Sequence, residues 1–420
     1  MLINWGQEFN SSNPLNEGRL SGVLKYINTL GPERDDDLVL VIDGYDTWMQ
    51  LRPGVLIERY FDINERANCR IQSRLGQDAV LKERIQQRIV FSAQKQCSLD
   101  ADDPGCYAAP ESTLPRDVYG PQTDKYVLDE ENPDIKFRPR YLNSGVGMGD
   151  VAAMRKLFGH ALEKTKATAN HESNQNIFAQ IFGEQEFQRE VIRRKYMNKN
   201  GDNRFQDSDP AALLIELTDG SHFEFGIGLD YESLLGHSTM FAEYESEWIR
   251  HNDSTFITEV SRIQGISPPR ISRVPEDITR SLRPFWSANG AKDGLPQDLD
   301  WGNVPLHTNL WTGNVPAIIH HNAHIQNMAS LKETHWTRTW FQSHARILMD
   351  LHTTEPYKPV AILKDAIQEV AYWSPFMTKW ETRTSDPDQE WIWWEQSCRG
   401  FEEEIFRDGK GNWSSPRTDY

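Results

Sequence analysis

The chain contains no long apolar run. A membrane-crossing helix needs about 18 or more consecutive apolar residues, and no such stretch occurs in this 420-residue sequence. Positive charge is also in short supply: 45 Lys and Arg stand against 62 Asp and Glu, a net charge of −17. A phosphate backbone repels such a surface, which excludes nucleic acid as the expected partner. An anionic nucleotide is still admissible where a divalent cation lies between it and the protein. No internal repeat is present, which sets solenoids and propellers aside. Cysteine is sparse: Cys69, Cys97, Cys106 and Cys398. Cys97 and Cys106 flank a loop, 98–105, rich in Asp, Pro and Gly. A disulfide closing that loop implies an oxidising compartment; four free thiols, the alternative, belong to a reducing one. The Asn-x-Ser sequons at Asn10, Asn252 and Asn412 fit the oxidising route. The opening residues show no signal-peptide pattern. Met1 to Gly6 resemble the end of a strand entering a loop, so the chain is expected to begin inside a fold.

Aromatics make up 11% of the chain, with 14 Trp, a richness that disordered chains lack. A packed core follows, and 420 residues suffice for one large α/β domain or two ordinary ones. Residues 20–30 have helical apolar spacing and stop at Gly31-Pro32. The run Leu38 to Ile42 (LVLVI) is short, apolar and β-branched, the pattern of a buried parallel strand. A short helix is expected at 54–60 after Pro53, and 79–90 fits either helix or strand. Residues 97–139 are loop-like. A strand or turn is expected at 140–149, an amphipathic helix at 150–168 and another helix at 174–194. Leu213 to Leu217 and His222 to Ile227 suggest a hairpin about Asp219-Gly220. Residues 264–300 are Pro-rich and aperiodic. Val315 to His320 suggests another buried strand, and 332–351 a helix. The tail after Tyr357 carries six of the Trp.

Three segments carry the chemistry. In Val41-Ile42-Asp43-Gly44-Tyr45-Asp46 two carboxylates follow a buried strand, with a Gly between them that permits a turn. Ligands of open α/β sheets bind at strand ends, and such a pair can converge on Mg²⁺ or Mn²⁺. The bland alternative is a helix cap and a solvated Asp. In Val315 to Asn322 (VPAIIHHN) a second strand ends in His320, His321 and Asn322, and a His from there can complete the metal site; taken alone, these residues are a surface His pair. The spacing of His320 and His324 matches a zinc protease helix, but position 321 is His where the general base Glu belongs. In Tyr141 to Asp150 (YLNSGVGMGD), Asn143 and Ser144 offer side-chain donors, and Gly145, Gly147 and Gly149 allow close backbone approach. The spacing G-x-G-x-G departs from the dinucleotide fingerprint, which excludes that reading. The loop Asn198 to Asp209 has its Gly at the wrong offset for an EF-hand.

The segments LVIDGYDTW, RYLNSGVGMGD, ESNQNIFAQIF, FGIGLDYES and VPAIIHHN follow one another in the order seen in a known family. The chain resembles the glycosyltransferase domain of procollagen lysyl hydroxylases, and more closely still a group of fungal glycosyltransferase-like proteins. The resemblance covers residues 2–345 and leaves 346–420 as a Trp-rich extension. It implies a GT-A fold: an α/β architecture with a mostly parallel sheet between helices, its first strand and nucleotide loop missing here. It implies a UDP-sugar donor, Mn²⁺ or Mg²⁺, and a glycan or glycoprotein acceptor in the secretory pathway, in the Golgi lumen. Asp43, Asp46 and His320 match the metal ligands. Asn143 and Ser144, with Gly145 and Asn322, match the donor site. Asn174, Gln175 and Asp230 match catalytic or acceptor-side positions. One departure counts against activity: the family carries Asp where this chain has Asn174, and an amide neither acts as a base nor balances positive charge as a carboxylate does. Glu172 and Asp150 are the carboxylates nearby in sequence that would be available to substitute for it. A catalytically inactive GT-A-like binding protein is the alternative function. A metal-dependent phosphohydrolase needs a further carboxylate cluster that the sequence does not offer.

Overall fold

A computed structural model describes residues 2–4, 14–127, 133–167, 173–199, 223–286, 293–322, 331–354, 358–364, 369–374, 381–384 and 391–413. The first half runs α1 (Pro14–Asn28), β1 (Leu38–Ile42), β2 (Thr47–Met49), α2 (Pro53–Leu75), α3 (Gln77–Glu83), β3 (Ile89–Gln94), α4 (Pro104–Tyr107), β4 (Tyr141–Asp150), α5 (Val151–Ala167) and α6 (Asn174–Lys199). The second half runs β5 (Ile227–Asp230), β6 (Gly236–Ser238), β7 (Ser246–Ile249), α7 (Ser254–Ile263), α8 (Glu276–Arg280), β8 (Leu306–Asn309), β9 (Ile318–His320), α9 (Leu331–Trp336), α10 (Ala345–Thr354), the hairpin β10 (Ala361–Lys364) and β11 (Glu369–Tyr372), the pair β12 (Glu381–Arg383) and β13 (Trp391–Trp393), and short helices α11 (Trp394–Ser397) and α12 (Glu402–Phe406).

The architecture is mixed α/β. The central sheet has the order β1-β4-β3-β5, and a smaller sheet has the order β2-β9-β6. Strand β4 runs antiparallel to both β1 and β3, while β3 and β5 are parallel. In the small sheet β9 is antiparallel to β2 and parallel to β6. The expected mostly parallel sheet is therefore a mixed one among the described residues, and β1 is half-buried and antiparallel where a fully buried parallel strand was expected. Apolar content reports burial, not the direction of the neighbour, which is why the run misled.

Helices cover both faces of the central sheet. On one face Leu20, Val23 and Ile27 of α1, Met154, Leu157 and Phe158 of α5, and Phe178 and Phe182 of α6 pack against Ile89, Phe91 and Leu142. On the other, Val55, Leu56, Tyr60 and Ile63 of α2 pack against Val90, Val146 and Met148, and reach Ile318 of β9. Each such side chain contributes roughly 1.5–3 kcal/mol of burial. Helix α2 far outruns the expected 54–60. Pro53 sits in its first turn, where a missing N–H is harmless. The apolar stripe continues through Ala67 and Ile71 to Leu75, and Gly76 at φ +87° ends it.

Several other expectations resolve. The ambiguous 79–90 divides into the end of α3, a turn and the first residues of β3. Helices α5 and α6 fall where periodicity put them. Residues 213–222 of the expected hairpin lie outside the described residues; 223–226 form no strand, and β5 begins at Ile227. The single helix expected at 332–351 is broken between α9 and α10. Cys97 and Cys106 form a disulfide with Cα atoms 5.7 Å apart, while Cys69 and Cys398 are free. In the extension, Ala361 of β10 joins the α2 core and Trp394 packs on Phe406 and Trp413.

One irregularity positions the site. Phe91 of β3 pairs with Gly147, but the next residue, Ser92, pairs with Asn143. Residues 144–146 of β4 are therefore bulged out of the β3 ladder. Bulges re-aim side chains at sheet edges and beside sites.

Candidate metal centre

Asp43 directly follows β1, and its N–H donates to Gly145 O in the bulge at 2.9 Å. Asp46 directly precedes β2. His320 closes β9 and is the register partner of Thr47. The short β1–β2 turn thus presents two carboxylates to an imidazole delivered by the strand alongside. The Nε2 atom of His320 lies 3.6 Å from Asp43 Oδ2 and 3.5 Å from Asp46 Oδ1. One ligand atom from each residue lies within 4.8 Å of the other two, and among the described residues this is the one such group of three.

The tautomer of His320 follows from its neighbours. Gln94 Nε2 donates to Gln96 O at 2.8 Å, which turns Gln94 Oε1 toward Asn143 Nδ2, also at 2.8 Å. Asn143 Oδ1 then faces His320 Nδ1 at 3.1 Å and accepts its proton. This leaves the Nε2 lone pair aimed at two carboxylates, an arrangement that calls for a shared cation or a second ring proton. Asp46 Oδ1 is buried and accepts no hydrogen bond that would replace one. The residues fit a divalent ion on both counts. Burial pushes the Asp43 carboxyl up, and Arg19 and His320 offset only part of this. Burial pushes Asp46 up as well, but once His320 carries the second ring proton its hydrogen bond and charge outweigh burial and the Asp46 pKa is lowered.

Gly145 is dictated by the same ring. A Cβ there would lie 2.0 Å from His320 Cε1 and 2.3 Å from Nδ1. Its backbone N–H donates to Asn143 Oδ1 at 3.1 Å. No protein-family model matches the chain, and no curated protein matches it either.

The remaining candidates divide. Gln175 clasps the bulge: its Oε1 accepts Ser144 N at 2.7 Å and its Nε2 donates to Leu142 O. Asn174 is buried at the start of α6, one residue before that clasp. Asn322 ties β9 to the β6 end, accepting from Ser238 Oγ at 3.0 Å and Met240 N at 3.2 Å. Asp230 directs its carboxylate at its own turn, accepting from the N–H groups of Leu234, Leu235 and Gly236. Burial pushes its pKa up to about 6 against those three donors. Asp150 caps α5 through Ala153 N and pairs with Arg88 at 2.8 Å, so it is already engaged; Glu172 lies outside the described residues.

His321 is not a surface residue. It is buried between Trp48 and His335, in a file of imidazoles that runs His321, His335, His307, His237 with neighbouring centroids 5.0–5.7 Å apart. Burial holds His321 down to about 3 and His335 and His237 to about 4. Two participants escaped the sequence. Arg19 of α1 pairs with Asp43 Oδ1 at 2.7 Å and donates to Ser144 O at 2.8 Å. Gln94 orients Asn143. Neither sits in a motif, and only the three-dimensional neighbourhood singles them out.

Proposed function

We propose that the chain is a GT-A glycosyltransferase, related to the glycosyltransferase domain of procollagen lysyl hydroxylases, that moves a sugar from a UDP-sugar to a glycan or protein-linked acceptor. The observation that carries the proposal is the convergence of Asp43, Asp46 and His320, with the His320 lone pair directed at both carboxylates. All three would hold Mn²⁺ or Mg²⁺. Such an ion, when bound, supplies Lewis-acid stabilisation of a departing diphosphate. Arg19 adds a fixed positive charge beside Asp43. Tyr45, 82% exposed between the two carboxylates, offers a flat face to a planar base. By the resemblance, the donor sugar would lie against Ser144 and Gly145, where Gln175 holds the Ser144 N–H. In transfer, the acceptor hydroxyl oxygen bonds to the anomeric carbon as the carbon–phosphate oxygen bond breaks, UDP departs, and the hydroxyl proton passes to a base or solvent. The disulfide supports assignment to an oxidising compartment such as the Golgi lumen.

Asn174 supports a second reading: a GT-A-like protein that binds the nucleotide without turnover. One series of measurements separates the two. Calorimetric titration with UDP, with and without Mn²⁺, is expected to show metal-dependent binding that disappears in Asp43→Ala and His320→Ala. No binding to the wild-type chain would refute both readings. Binding without sugar release from a UDP-sugar, with release gained in Asn174→Asp, would favour the second.

A further inference from the structure

Among the described residues, Lys332 is the cation at the rim of this centre that the proposed reaction leaves without a role. It lies on α9, whose backbone is fastened to β2: Trp48 Nε1 donates to Lys332 O at 2.8 Å, and Trp48 packs on Trp336 at 4.8 Å. Its ammonium lies 3.2 Å from the centroid of the Tyr45 ring and 3.3 Å from Tyr45 O. No carboxylate within ion-pair distance neutralises it among the described residues. Arg19, by contrast, is paired with Asp43. Charge arithmetic then points to an anion. Two carboxylates balance a divalent ion, and Arg19 and Lys332 leave two positive charges over. A metal-chelated diphosphate matches that surplus.

We propose that Lys332 receives the phosphate of a metal-bound diphosphate, leaving the Tyr45 ring as it does so and freeing that face for the base. The inference rests on the nucleotide-sugar reading for the identity of the base, but not for the anion. Lysine binds phosphate as a point charge through charge-assisted hydrogen bonds, and the cation–π contact it gives up at an exposed ring is the weaker of the two.

The test is calorimetry on the full chain and on Lys332→Met and Lys332→Arg, with Mn²⁺ alone, UDP plus Mn²⁺, uridine, and inorganic pyrophosphate plus Mn²⁺. Lys332→Met is expected to bind Mn²⁺ alone as the wild type does, to bind UDP and pyrophosphate about tenfold more weakly, and to bind uridine no more weakly. Lys332→Arg should keep most of the affinity, and unchanged melting temperatures would exclude a folding defect. If Lys332→Met binds UDP with wild-type affinity while Asp43→Ala does not, the metal centre stands and the role of Lys332 falls. If the wild type ignores UDP but binds pyrophosphate through Lys332, the nucleotide-sugar reading falls and Lys332 stands. Mn²⁺-dependent binding of neither anion overturns both.

Discussion

Gly145→Ala is the sharpest probe of the candidate metal centre, because it replaces none of the three candidate ligands. The added methyl would lie 2.0 Å from His320 Cε1, 2.3 Å from Nδ1 and 2.7 Å from Nε2. Ordinary contact begins near 3.4 Å, so the ring must withdraw by roughly 1.4 Å or the bulge must yield. The ring has little room to do so: Nδ1 is held by Asn143, and His320 is only 4% exposed. A metal–imidazole bond tolerates only about ±0.2 Å. The substitution therefore removes His320 from the ligand set. Disturbing an outer partner costs about 10–100-fold in metal affinity, and this change acts on the ligand itself, so about 100-fold is expected. The assay is Mn²⁺ calorimetry, with thermal melting in chelator to check the metal-free fold. Gly145→Ala in a His320→Ala background supplies the control, since with the ring gone the methyl has space and the metal-free stability should recover. Wild-type Mn²⁺ affinity in Gly145→Ala would refute the claim that this ring, in this position, is a ligand.

Three further outcomes are expected. Lys95→Met strands the buried Glu245, whose carboxylate keeps, among the described residues, only Tyr119 Oη and Asn309 Nδ2; denaturant unfolding should show a loss of about 3–5 kcal/mol, largely recovered in Lys95→Met/Glu245→Leu. Cys97→Ser/Cys106→Ser opens a loop of sequence separation 9 and should cost about 2.5 kcal/mol by loop-closure entropy, read as the same shift on reduction of the wild type. Acid should destabilise the fold through its buried imidazoles. His237, His251 and His335 are pushed down to about 4, by burial first in each case. They stay neutral when folded and protonate when unfolded, so their contribution, on the order of 3 kcal/mol apiece, is complete above about pH 6.5 and is lost as pH falls through about 4. Asp230, held up near 6, acts in the opposite sense and is outnumbered. Urea midpoints measured from pH 7 to 4 should fall steeply, and a flat profile would contradict the neutral imidazoles.

The sequence made local features legible and left the long-range ones hidden. Helices α5 and α6 announce themselves because one face is apolar at helical spacing. The carboxylate turn after β1 and the His at the end of β9 are visible because apolar runs stop abruptly in polar residues. Strand direction was not legible: Leu38 to Ile42 would look the same beside a parallel or an antiparallel partner. The length of α2 was obscured by its many polar residues, such as Asp62, Glu65, Arg66, Arg70 and Arg74 on the solvent face. Lys95 occupies a Gln-Lys-Gln context that suggests exposure, and only its distant partner Glu245 explains its burial. Asp230 and Asn322 looked like ligand-facing groups because polar residues at strand ends serve turns and sites alike. Arg19, Gln94 and Lys332 enter the site through contacts across the chain that no spacing rule can anticipate.

The pairing of β2 with β9 has a consequence for biosynthesis. Asp43 and Asp46 leave the ribosome long before the strand that carries their imidazole. At roughly 5–20 residues per second, the about 270 residues separating Thr47 from His320 take on the order of a quarter-minute to a minute to synthesise. During that interval the nascent chain carries an acidic turn with no third ligand. Arg19 is already present, since it precedes both carboxylates, so the partner that Asp43 has in the folded chain is available to the turn from the start. Of the charged partners of Asp43, the guanidinium is therefore synthesised first and the imidazole last.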